Sequence, residues 1–164
     1  EMRHVRSYIE IQSIRFGDRI RVEMEETPEQ LRELQVPRLI LQPIAENAYQ
    51  YGFGGDMDEC LLRIGFRQER TSAWEPAAVV FIADNGAGMT AEQLEQWRRK
   101  LAQGTHETEI TGLLNVHRRL RLKFGDSAGI RLDIEGEGLT VSVVLPLFDS
   151  EKPEPSIDIE EGQS

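Results

Sequence analysis

Residues 77–89 read AAVVFIADNGAGM. The first seven are apolar with no alternation. A strand with one wet face alternates with a period of two, so an unbroken apolar run bounded by turn residues predicts a strand at the centre of a sheet. The run ends at Asp84, and Asn85-Gly86-Ala87-Gly88 follows at once. This places a carboxylate at the carboxyl end of a buried strand, beside glycines that let backbone approach a ligand closely. A carboxylate fixed there accepts a hydrogen bond from an exocyclic amine. A plain Asp-Asn-Gly turn uses the same residues, so the motif alone does not decide between them.

Working outward, RIRVEME (19–25) and LLRIGFR (61–67) alternate, with Ile20, Val22 and Met24 opposed to charged residues in the first. GIRLDIEG (129–136) and LTVSVVL (139–145) alternate as well, joined through Glu137-Gly138. These are half-buried strands. Helices are predicted over 2–16, from Pro37 to about Tyr51 with Pro43 bending it, over 90–102 from a capping box of Thr90 and Gln93, and over 112–124. Five strands and about four amphipathic helices imply a two-layer α/β sandwich: a mixed, mostly antiparallel sheet with helices on one face. The polar segment 103–111 reads as a loop. The acidic stretch 149–164 reads as a disordered tail, which leaves 1–148 as the domain.

The chain has 164 residues, 39% of them hydrophobic and 29% charged, with a net charge of -10. That charge argues against broad nucleic-acid binding or contact with anionic membrane. Cys60 is the single cysteine and reads as a buried small residue. No Cys/His cluster has zinc spacing, and no apolar run reaches transmembrane length. The first residue is Glu1, which reads as a piece of something longer, with any membrane anchor lying in upstream segments.

On the predicted second helix, Leu41, Ile44, Ala45 and Ala48 share a core face, while Glu46 and Asn47 fall on the other half. A surface helix explains that pattern equally well. Gly112 opens a helix after a loop, and a helix amino end preceded by glycine suits phosphate.

In this order, ENA (46–48), DNGAGM (84–89), GLLNV (112–116) and GLTV (138–141) resemble the ATP-binding domain of the GHKL superfamily, whose members include gyrase, MutL and sensor histidine kinases. YIEIQSIRFGDRI (8–20), VPRLILQPIAENA (36–48) and GLLNVHRRLRLKFG (112–125) resemble sensor histidine kinases of the LytS type. The resemblance covers residues 1 to 147 and implies the Bergerat fold, with 1–17 as the end of a segment linking to a dimerisation and phosphoacceptor region.

The resemblance implies ATP and Mg2+ as cofactors. Asn47 binds the metal, and Glu46 orients or deprotonates the attacking group. Asp84 accepts from the adenine amino group, and Gly86 and Gly88 admit the nucleotide. Thr140 supports the adenine end, directly or through water, and Gly112 lines the phosphates under a lid of about 103–111. It further implies transfer of the γ-phosphate to a histidine on the dimerisation domain, a homodimer, a downstream response regulator and a cytoplasmic domain of a membrane-anchored protein. His4, His106 and His117 do not lie in an acceptor motif.

Four residues depart from the family pattern. Gln50 and Tyr51 stand where it has basic residues, Ile110 stands for a lid glycine, and Leu139 stands for the second glycine of its GGT. These departures motivate the alternative, a catalytically degenerate module of the same fold. A DNA-linked ATPase fits the acidic composition less well.

Overall fold

The computed structural model describes residues 1–103 and 112–147. His106, Ile110 and the tail at 149–164 lie outside the described residues, as does nearly all of the loop read over 103–111.

Strands β1 (Ile20–Met24), β2 (Cys60–Arg70), β3 (Pro76–Asp84), β4 (Gly129–Glu135) and β5 (Gly138–Pro146) form one sheet in the order β1-β2-β3-β5-β4. The unbroken apolar strand is therefore the central one. β1 pairs with β2 in parallel, and the other three pairings are antiparallel. The register aligns Ile64, Ile82, Val141 and Leu132 across β2, β3, β5 and β4. These four side chains share one face, and α1 (Met2–Phe16), α2 (Gln42–Asn47), α3 (Ala91–Gln103) and α4 (Gly112–Phe124) cover it. Val5 and Ile9 of α1, Ile44 of α2, Leu94 and Leu101 of α3, and Leu113 and Leu120 of α4 complete the core.

The opposite face carries charge. Arg131 of β4 spans two strands to make a two-pronged pair with Glu69 of β2, both contacts at 2.9 Å. Val79 and Ser142, on the strands between them, are fully buried. The guanidinium holds the Glu69 carboxyl below its ordinary range, chiefly through the direct hydrogen bond.

The capping box at the start of α3 forms as the sequence predicts. The Gln93 amide donates to Thr90 Oγ1 at 3.1 Å, and the Thr90 amide donates back to Gln93 Oε1 at 3.0 Å. The turn between β4 and β5 falls on Gly136-Glu137, one residue earlier than the sequence reading, and Gly136 takes φ 67.

The second helix differs from expectation. It starts at Gln42, not Pro37, and Pro43 sits in its first turn, where a missing N–H costs nothing. The cause is a residue 38 positions before Leu39, Glu1. The Glu1 carboxylate accepts the backbone amides of Leu39, Ile40 (2.8 Å) and Leu41 (3.3 Å). Leu39 is held at φ 55, which no helix admits. Three amides committed to one side chain, with a left-handed residue among them, form an anion-binding nest instead of a helical turn.

Beyond Asn47 the helix widens into a π turn, Ala48–Gly52. Tyr49 anchors that turn, packing edge-on against Tyr8 at 5.8 Å and Phe53 at 5.8 Å and tilted against Phe16 at 5.5 Å. Burial pushes its phenol up to about 12.

Candidate functional site

A cleft of about 750 Å3 opens between α2 with its π turn, α3, the carboxyl end of β3 and the start of β5. Glu46, Asn47, Asp84, Gly88 and Gly112 all line it. Residues from four separate elements thus converge on one hollow, and a surface helix alone does not account for Glu46 and Asn47.

Asp84 sits half-buried at the end of the central strand. Its carboxyl is raised above the ordinary 3.8 because burial disfavours the charge, and bonds from the Gly86 and Leu139 amides oppose that shift. The Gly86 amide donates to Asp84 Oδ1 at 2.8 Å, which locks the side chain in place. Gly52 faces the carboxylate: a Cβ there would lie 3.0 Å from Asp84 Cγ. The result is a fixed acceptor in an otherwise apolar recess walled by Ile82, Leu139 and Val141. Such a group recognises a donor such as an amine and rejects a carbonyl.

Glu46 is exposed, and its Oε1 accepts from the Gln42 side-chain amide at 3.0 Å. Asn47 is partly buried beside it. The π turn shifts the residues after Asn47, so Gln50 and Tyr51 also reach the cleft. Tyr51 stays 70% exposed there.

Two expected site residues are not brought to the cleft. Gly86 serves the chain's own packing, since a Cβ on it would lie 1.9 Å from the Gly52 carbonyl oxygen. That oxygen accepts the Ala87 amide at 2.9 Å, so Gly86 docks the π turn onto the loop after β3. Thr140 pairs with Ala83 and Asp133 and shares their face, opposite to Asp84. Leu139 occupies the position facing the cleft. Side chains alternate along β5, which puts Leu139 and not Thr140 on the face of Asp84.

Other contributors escaped the sequence reading. Asn85 ties the loop to β2: its Oδ1 accepts the Leu61 amide at 2.7 Å, and its Nδ2 donates to the Glu59 carbonyl at 2.9 Å. Gln93, Gln96, Trp97 and Lys100 present one face of α3 to the cleft. Their spacing of three, one and three is a helical stripe, legible in the sequence once α3 is known to border the cleft. None of the basic residues of α4, Arg118, Arg119, Arg121 and Lys123, lines the cleft; Arg121 pairs with Asp126 at 2.7 Å, and Arg119 donates to the Arg38 carbonyl.

His117 is structural. Its Nδ1 accepts the Ile130 amide at 2.9 Å, and Gly129 leaves room for the ring. Its Nε2 faces the Leu101 carbonyl without a well-formed hydrogen bond. His4 is exposed on α1, and Cys60 is buried at the start of β2.

Among the described residues no group of three or more His, Cys, Asp or Glu side chains is arranged to hold a metal, and no helix is long and apolar enough to cross a membrane.

No family model matches the chain. It is similar to the sensor protein kinase HptS of Staphylococcus aureus, 26% identical over 148 residues. That match covers 90% of this chain and 27% of the kinase, so the chain spans about a quarter of the curated relative's length. Among solved structures it resembles the catalytic domain of histidine kinase ThkA, with a TM-score of 0.58 and 16% identity, over 88% of this chain and 90% of that one. It also resembles the histidine kinase domain of the blue-light activated kinase of Erythrobacter litoralis EL346, with a TM-score of 0.53 and 19% identity, over 87% and 58% of the two chains. The fold is that of a histidine kinase catalytic domain.

Proposed function

We propose that this chain is the ATP-binding catalytic domain of a two-component sensor histidine kinase. The observation that carries the reading is the convergence of Asp84, Asn47, Glu46 and Gly112 on one cleft in a fold shared with such domains. Asp84 takes the amino group of adenine, and the recess of Ile82, Leu139 and Val141 takes the ring. Gly112 lies at the amino end of α4, where free amides and the helix dipole favour phosphate oxygens.

The donor set fits Mg2+. The ion prefers oxygen, keeps several waters and needs few protein ligands. The Asn47 amide oxygen supplies one, and the nucleotide supplies others. When bound, Mg2+ neutralises charge on the phosphoryl oxygens. Glu46, exposed at the rim, orients or deprotonates the attacking imidazole of an acceptor histidine on a dimerisation domain.

The kinase of which this domain is part works as a homodimer, passes its phosphoryl group to a response regulator, and is anchored in the membrane by other segments. The LytS-type grouping belongs to the same proposal, on the strength of YIEIQSIRFGDRI and VPRLILQPIAENA.

Titration of the chain with Mg·ATP tests the reading. A ligand at a hundred times its dissociation constant adds about 2.7 kcal/mol of stability, so a clear rise in melting temperature is expected with ATP and not with GTP. Asp84→Asn, which turns an acceptor oxygen into a donor, is expected to weaken ATP at least about tenfold while the fold survives. An unmoved melting temperature at millimolar ATP sinks the reading and favours the degenerate module.

A further inference from the structure

Among the described residues the cleft is lined by two carboxylates, Glu46 and Asp84, and by a single basic side chain, Lys100. A polyphosphate entering it meets like charge, and a divalent cation offsets only part of the cost. We propose that Lys100 recognises the terminal phosphates and sets the preference of the site for a nucleoside triphosphate over a monophosphate. This rests on the nucleotide reading above.

The other cations of α3, and two of those of α4, are held by partners of their own. Arg98 holds the Leu132 carbonyl and Asp133, and Arg99 pairs with Glu95. On α4, Arg121 holds Asp126 and Arg119 holds the Arg38 carbonyl. Lys100 forms no ion pair with a described residue. Its Nζ instead lies 5.5 Å from the centre of the Trp97 ring. The indole face keeps the ammonium at the cleft wall without neutralising it, and an exposed amine on a flexible stem reaches an incoming anion readily.

The geometry of α3 sets the reach. The loop that carries Gly88 joins Asp84, the last residue of β3, to the start of α3, so the base end of the cleft lies toward that start. Lys100 follows Ala91 by nine residues, about 14 Å along the axis. That is comparable with the length of an extended nucleoside triphosphate. Gln93 and Gln96 line the interval on the same face.

Calorimetric titration of ATP, ADP, AMP and adenosine into the parent, Lys100→Ala and Lys100→Arg tests this. Lys100→Ala is expected to weaken ATP about tenfold or more, ADP by less and adenosine not at all, and Lys100→Arg is expected to restore most of the loss. ATP affinity unchanged in Lys100→Ala overturns the proposal while leaving the nucleotide site standing. An equal loss for ATP and adenosine overturns it too, because a merely structural lysine behaves that way. A parent that binds none of the four removes the nucleotide reading and this proposal together.

Discussion

Replacing Gly86 by alanine separates two roles that the same glycine invites. If Gly86 only admits a ligand, the fold tolerates the change and binding alone suffers. The structure assigns the glycine to the chain's own packing. A Cβ on Gly86 would lie 1.9 Å from the Gly52 oxygen, 2.3 Å from its carbonyl carbon and 2.6 Å from its Cα. All three are backbone atoms, and no rotamer relieves the contact. Restoring a tolerable separation of about 3 Å moves one loop away from the other by roughly 1 Å.

That movement breaks the bond from the Ala87 amide to the Gly52 oxygen, now 2.9 Å. It also disturbs the Gly86 amide that holds Asp84 Oδ1 at 2.8 Å. Overpacking and one or two lost hydrogen bonds together cost about 2–4 kcal/mol. Urea unfolding of Gly86→Ala measures this, with the midpoint lowered and the slope unchanged. Gly54→Ala is the control, because a Cβ there meets nothing within 4 Å. Gly86→Ala within about 0.5 kcal/mol of the parent, the range of an ordinary surface change, refutes the packing argument.

Three further outcomes are expected. In Asn47→Ala the Mg2+ dependence of ATP affinity largely disappears, since one oxygen ligand is removed from an ion that requires oxygen; a titration with and without Mg2+ checks it. Glu1→Ala leaves the amides of Leu39, Ile40 and Leu41 without their acceptor and lowers stability by about 1–3 kcal/mol in urea unfolding. His117 is held below its ordinary 6.5 by burial first and by Arg121 second, with the Leu101 carbonyl opposing. The folded chain therefore binds fewer protons than the unfolded one. Its stability contribution is complete above the unfolded value and is lost as pH falls through 6.5 toward the depressed folded value, by at most about 1.4 kcal/mol per pH unit. Unfolding from pH 7.5 to 5 shows that slope in the parent and a flatter one in His117→Asn.

What was legible in the sequence follows from periodicity and chain order. AAVVFIA carries its central position in composition alone, because a strand covered on both sides keeps no polar rail. The capping box of α3 is local chemistry between Thr90 and Gln93, and it formed as written. The start of α2 was not legible, since it depends on a carboxylate 38 residues away at Glu1 and no window of local sequence contains that contact. The widened turn after Asn47 was hidden for a similar reason: Tyr49 is held by Tyr8 and Phe16 of α1.

The register of β5 is the most instructive case. Thr140 and Leu139 are neighbours in GLTV, and a polar residue is the natural choice for a polar site. The sheet reverses that choice, because Ile82 pairs with Val141 and Ala83 with Thr140. Asp84 follows on the face of Ile82, so the residue beside it in β5 is Leu139, whose amide restrains the carboxylate while its side chain walls the recess. The Asp84 end of the cleft therefore combines a raised carboxyl with apolar walls, and the polar contacts left for a ligand lie at Asn47, Gly112 and the α3 stripe ending in Lys100. A ligand that matches this division carries one amine on a flat apolar body and its charge at the far end.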